Sequence, residues 1–221
     1  MLYRYWPLFS VIIILNMLVI FAALWTVSFA IIYREDVDVS NYRSSAAAYP
    51  SAFPYQNIAG DEGYSCAGTM IGKRHAITAA HCFSGNQAAF TVTVNGSTYT
   101  VAQTRIHNCW TGDGPNSADL AILVFSSDVT SVGTFPTVYN GSDDEEEKGE
   151  EIVVVGWGSY GPVGQDLDED EYNDLAGVFH RGYNVVTDVK NGMVVYEMDK
   201  DKLALEAIAT SGDSGGPAYL V

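Results

Sequence analysis

Three residues of this 221-residue chain have the types and spacing of a nucleophilic relay. Ser214 lies in Gly212-Asp213-Ser214-Gly215-Gly216-Pro217. Glycines on both sides let the backbone turn tightly and approach a substrate closely. Attack by a hydroxyl on a carbonyl needs backbone N–H groups aimed at the oxyanion that develops, and those of Gly212 and Ser214 are the candidates. A serine hydroxyl is a poor nucleophile until a base takes its proton. A histidine is therefore required, with a carboxylate to orient it. Of the four histidines, His81 follows the apolar stretch Ala76–Ala80 and precedes a loop. Its small neighbours allow an imidazole to face a cleft. Asp119 opens the apolar stretch Leu120–Leu123. A carboxylate there is costly to bury unless it has a partner, and an imidazole N–H is one. His75, His107 and His180 read as strand or loop residues, and Trp157 as packing.

The stretches ITAAHC, DLAIL and GDSGGP stand in this order, with His81, Asp119 and Ser214 spaced by 38 and 95 residues. They resemble the trypsin-like (chymotrypsin-fold) serine proteases. Residues 53–82, FPYQNIAGDEGYSCAGTMIGKRHAITAAHC, are similar to the opening of that family's first barrel, and VVVGWG (153–158) to a strand of its second. The resemblance runs from Phe53 to Pro217. It implies an all-β fold of two six-stranded antiparallel β-barrels and hydrolysis of a polypeptide substrate through an acyl-enzyme, with no cofactor or metal. His81 is then the general base and acid, Asp119 its orienting partner and Ser214 the nucleophile. Gly212 and Ser214 supply the oxyanion hole. Cys66 and Cys82 match the family's disulfide beside the histidine, which implies an oxidising compartment. Cys109 is left either as a buried thiol or as the partner of a cysteine outside this chain.

Three departures from the family pattern bear on function. The base of the substrate pocket is Ile208, followed by Ala209, Thr210 and Ser211. An uncharged base argues against cleavage after Arg or Lys and favours a small or apolar side chain. The family pairs the aspartate beside the serine, here Asp213, with a new amino terminus that commonly begins Ile-Val-Gly-Gly. Counting back from Pro54-Tyr55 lands near Tyr42-Arg43-Ser44, a poor match, so Asp213 has another partner or activation differs. The family also continues past GDSGGP with two strands, a pocket wall and a terminal helix. The second barrel is therefore expected to be truncated and the chain to be a fragment. The rival reading is a catalytically impaired, protease-like binding or regulatory module.

The elements that must position these residues are short. Runs such as AITAA, LAILVF and EIVVVGW are β-type and cut by turns. AFTVTVNGSTYTV and NVVTDVKNGMVVYE read as hairpins around Asn95-Gly96 and Asn191-Gly192. No helical periodicity is sustained outside the N-terminus. There, residues 8–33 carry no charge and exceed the length that spans a bilayer. The expected organisation is a cytoplasmic tip and signal anchor (1–33), a stalk or pro-segment (34–52) and the protease domain (53–221). The alternative is a leader cut after Ala30, where Ser28-Phe29-Ala30 offers small residues at the two required places. Asn95 and Asn140 head N-glycosylation acceptor triplets. The domain is thus expected to be membrane-anchored on the extracellular or lumenal side, or else secreted. With 27 acidic against 11 basic residues, net −16, nucleic acid is not expected as a partner. Two acidic runs, 143–151 and 166–174, read as solvated loops, and no calcium-ligand spacing fits the second. Nothing in the sequence indicates the oligomeric state.

Overall fold

The computed structural model describes residues 31–56, 65–83, 89–112, 117–141, 146–164, 177–190, 193–199 and 203–221. The expected anchor lies outside the described residues apart from its last three, Ile31–Tyr33. Among the described residues no helix is long and apolar enough to cross a membrane. The acidic run 166–174 and the turn Asn191-Gly192 also lie outside them.

Strand β1 is Ile32–Tyr33. Strands β2 (Ala52–Gln56), β3 (Ser65–Gly72), β4 (His75–Thr78), β5 (Phe90–Val94), β6 (Ser97–Ile106) and β7 (Ala121–Phe125) follow. These last six make one antiparallel sheet in the order β2-β3-β4-β7-β6-β5. Its edges β2 and β5 come back together, so the sheet is a nearly closed barrel. Alternate residues point inward, as the two-residue strand period requires. In β7, Ala121, Leu123 and Phe125 are buried, and they join Phe53, Met70, Val94 and Val101 in one core. The expected hairpin is present. Val94 pairs with Ser97, and Asn95 (φ 43°) and Gly96 (φ 78°) both take the left-handed conformation that a two-residue hairpin turn demands.

The second half, expected as a truncated barrel, is an assembly of small sheets among the described residues. Strands β8 (Glu151–Gly156), β9 (Gly161–Pro162), β10 (His180–Val185), β11 (Asp188–Lys190), β12 (Met193–Val195), β13 (Ala207–Ile208) and β14 (Ala218–Leu220) form three small sheets. Their orders are β10-β8-β14, β13-β1-β9 and β11-β12. Strand β8 is buried from Ile152 through Gly156, which explains its unbroken apolar run. The β11–β12 register, Lys190 opposite Met193, is that of a two-residue connection.

Residues 34–52, expected as a stalk or pro-segment, are instead a strap packed on this half. The Tyr42 ring is fully buried and its hydroxyl donates to the Glu206 carbonyl at 3.2 Å. Arg43 bridges to His180. Tyr49 lies 5.8 Å from the Phe179 ring and 5.6 Å from the Tyr219 ring. The composition reads as polar and small, but two tyrosines, Tyr42 and Tyr49, carry the packing, because each ring buries a large apolar face while leaving a polar tip.

Candidate active site

Pairing of β4 with β7 sets Thr78 opposite Ala121. That register brings together the residue three beyond Thr78, His81, and the residue two before Ala121, Asp119. His81 occupies a single 3-10 turn, Ala80–Cys82. Cys82 closes that turn through its disulfide to Cys66 on β3, so the imidazole is fixed from both ends. The Asp119 carboxylate takes the His81 ring at Nδ1–Oδ2 2.6 Å and the His81 backbone N–H at 2.8 Å on Oδ1. The two contacts leave Nε2 as the free ring nitrogen. The carboxylate expected to need burial with its partner is 40% exposed, and the imidazole is 41% exposed. They sit at the rim of the barrel, where solvent shares the charge.

The Ser214 loop crosses from the second half onto the first. The Ala67 N–H donates to the Ser214 carbonyl at 2.8 Å, and Cys82 Sγ lies 3.9 Å from the same oxygen. Within the loop, Asp213 N–H donates to the Thr210 carbonyl and Gly216 N–H to that of Asp213. Gly215 has φ 78°, and a Cβ on it would run into Thr78 Oγ1, the Ala67 carbonyl and the Ala79 nitrogen. The serine therefore reaches the His81 side of the seam only because this position is glycine. Gly212 also has positive φ and packs against Gly158.

Asp213 turns the other way, into the second half, and is 5% exposed. A Cβ on Gly156 would collide with its carboxylate, which accounts for the glycine of VVVGWG. The carboxylate accepts from Gly158 N–H at 3.1 Å and Thr210 N–H at 3.4 Å, and also from the N–H groups of Trp157 and Ile31. Burial raises its pKa to about 6 against these donors. The Ile31 N–H was not legible as a donor to Asp213, because Ile31 ends an apolar run that reads as membrane span. Arg43 and Ser44 lie at the edge of β10, with the Tyr42 carbonyl accepting from Arg181 N–H.

Of the expected pocket residues, Ile208 is half-buried and pairs with Ile32, Ala209 is exposed, and Thr210 and Ser211 are half-buried. Asn95 and Asn140 are exposed. Cys109 is exposed and forms no disulfide among the described residues, which overturns the buried-thiol reading and is compatible with a partner cysteine outside this chain. His75 is exposed at the head of β4, and His107 accepts the Cys109 N–H in a loop. His180 is buried at the head of β10, and Trp157 packs 4.7 Å from the Phe179 ring. Among the described residues, the one cluster with metal-ligand types is Cys66, His81 and Cys82, whose sulfurs are spent on the disulfide.

The sequence family described as Trypsin matches residues 42–220. An ovochymase of Halocynthia roretzi is 30% identical over 105 residues, covering 42% of this chain and 7% of that protein. Trypsin alpha-4 of Lucilia cuprina is 27% identical over 184 residues, covering 76% of this chain and 68% of the other. Among solved structures, neuropsin, a serine protease expressed in the limbic system of mouse brain, aligns with TM-score 0.61 at 19% identity over 81% of each chain. The Hl collagenase aligns with TM-score 0.58 at 18% identity over 81% of this chain and 79% of the other. At such identities the structural likeness speaks for the fold.

Proposed function

This chain belongs to the trypsin family of serine proteases, and from that premise we propose that it is a serine endopeptidase working through His81, Asp119 and Ser214. The observation that carries the reading is the doubly held His81–Asp119 pair, 2.6 and 2.8 Å, next to the Ser214 loop. Ser214 Oγ attacks the scissile carbonyl and passes its proton to His81 Nε2, while Nδ1–H stays on Asp119. The N–H groups of Gly212 and Ser214 hold the oxyanion. His81 then gives its proton to the leaving amine, and water, activated by the same imidazole, releases the acyl group. Ile208 at the pocket base suits a small or apolar side chain rather than Arg or Lys. The domain works outside the cytosol, tethered by the N-terminal apolar segment or released from it, and carries glycans on Asn95 and Asn140.

The test is labelling by a serine-directed phosphonate. Labelling of the 221-residue protein that disappears in Ser214→Ala supports the enzyme. A folded protein that never labels supports a protease-like binding module, the reading favoured by the open exposure of Asp119.

A further inference from the structure

One hydrogen-bonded cluster outside the relay is built like an anion site and has a tyrosine oxygen at its centre. Tyr99 stands on β6 opposite Val92 of β5. Its ring packs on the barrel core, edge-on to Phe125 at 6.4 Å. Its oxygen reaches the loop that follows β7. There it accepts the consecutive backbone N–H groups of Thr130 and Ser131, at 3.1 and 3.0 Å. Successive amides aimed at one oxygen form a nest for negative charge. The nest is held on three sides. Val129 N–H donates to the Lys73 carbonyl at 2.7 Å, Ser131 Oγ to the Val94 carbonyl at 2.8 Å, and Asn95 Nδ2 to the Ser131 carbonyl at 2.7 Å. Val129 and Val132, on either side, are buried. The donors therefore point at the oxygen before any charge develops, the condition under which fixed dipoles stabilise an anion best.

The proton of this hydroxyl is badly placed by comparison. Its acceptor, Thr130 Oγ1, lies at 3.5 Å, well beyond the ~2.7–2.8 Å of a good O–H···O bond. The arrangement serves the phenolate better than the phenol. Strands β5 and β7 carry no charged side chain, and the loop carries one, Asp128. Hydrogen bonding from Ser131 and Thr130, rather than a neighbouring charge, lowers the Tyr99 pKa from 10.0 to about 8. We propose that Tyr99 is a second nucleophile, independent of Ser214, that takes the acyl group of an activated aryl ester. Its proton goes to solvent. The phenolate oxygen attacks the ester carbonyl, the aryl oxide leaves with the bonding pair, and the acyl group stays on Tyr99 Oη. The oxygen's partners are amides and a hydroxyl, none of which activates water, so the ester persists and the reaction is stoichiometric. This activity does not rest on the protease reading above.

At neutral pH a tyrosine titrating near 8 is ionised roughly a hundredfold more often than one titrating near 10. Its weaker basicity gives back about tenfold, on the Brønsted slope of ~0.4–0.5 that thiolates follow. A net gain of roughly tenfold remains. Tyr139 supplies the contrast. It is the more exposed of the two, at 45%, but desolvation and the carboxylates of Glu147 and Glu146 raise its pKa. The experiment is treatment of the 221-residue protein carrying Ser214→Ala with p-nitrophenyl acetate, with the acetylated peptides identified by mass spectrometry. Without Ser214 the relay consumes no reagent. At neutral pH Tyr99 should acetylate at least about tenfold faster than Tyr139. Its rate should reach half of its plateau near pH 8, and Tyr99→Phe should remove the fast release of nitrophenolate. Acetylation in the order of exposure, Tyr139 before Tyr99, overturns the proposal. Ultraviolet titration of tyrosinate needs no reagent: one tyrosine of 14 should ionise near pH 8, and a first ionisation no earlier than that of ordinary tyrosine overturns the proposal as well. Fast acetylation of Tyr99 in a protein whose intact Ser214 never labels with phosphonate overturns the protease reading and leaves Tyr99 standing.

Discussion

Two buried titratable residues pull stability in opposite directions. Asp213 titrates near 6 in the fold because burial disfavours its charge, against 3.8 when unfolded. Between those values the folded chain keeps a proton that the unfolded chain has lost. Stability therefore falls as pH rises through that window, by about 3 kcal/mol in total. His180 is pushed down to about 4 by burial, from 6.5. Between about 4 and 6.5 the unfolded chain holds the extra proton, so this contribution is complete above 6.5 and is lost as pH falls. The two slopes largely cancel. His180→Gln should then expose the Asp213 slope, with urea midpoints falling from pH 4 to 6, and Asp213→Asn should expose the opposite one. Parallel curves for the two variants would refute both assignments. At the rim, Asp119→Asn keeps the contact with His81 but favours the wrong imidazole tautomer. Phosphonate labelling of Ser214 should slow by about 10⁴-fold, with urea midpoints little changed.

At the scale of elements, the strap is the part whose weight is least evident from composition. Tyr42 is fully buried between Tyr33 and the β13 segment, with its ring 5.3 Å from that of Tyr33. Tyr42→Ala should cost about 3–5 kcal/mol, seen as a lower urea midpoint with the barrel hairpins still protected from hydrogen exchange. A loss under about 1 kcal/mol would mean that the strap is a loosely attached arm after all. The strands of the barrel were legible, because alternation in Phe90–Val94 and the Asn95-Gly96 pair act locally. The His81–Asp119 pairing was legible through motif and order, but not its second hydrogen bond, since a backbone N–H leaves no mark in side-chain chemistry. Strand β1 was hidden because Ile32–Tyr33 end an uncharged apolar run long enough to read as a membrane span. The strap was hidden because Ser and Ala dominate the composition while Tyr42 and Tyr49 do the packing. The small sheets of the second half, with two- and three-residue strands, are too short to leave a period.

At the scale of the whole molecule, the candidate site exists only while the two halves stay in register. His81 and Asp119 belong to the barrel, and Ser214 to a loop of the second half. The halves meet where the Ala67 N–H takes the Ser214 carbonyl and where Gly215 lies against Thr78, Ala67 and Ala79. Two of these contacts are backbone atoms and the third is the Thr78 hydroxyl, which is held by the Tyr55 hydroxyl and the Ala67 carbonyl, so the seam has little freedom to adjust. A methyl at Gly215 faces both a left-handed φ, which costs an L-residue roughly 1–2 kcal/mol, and three atoms it cannot displace. The seam must open to admit it. Misplacement of a reacting group by about 1 Å costs on the order of 10²-fold in rate. Gly215→Ala should therefore slow phosphonate labelling of Ser214 by at least about 10²-fold, while hydrogen exchange in β5–β7 stays as in the parent. Gly72→Ala is the matched control, because a Cβ there meets nothing within 4 Å. It should leave labelling unchanged. If Gly215→Ala labels as fast as Gly72→Ala, the serine does not depend on the seam, and the relay must be assembled within one half of the chain.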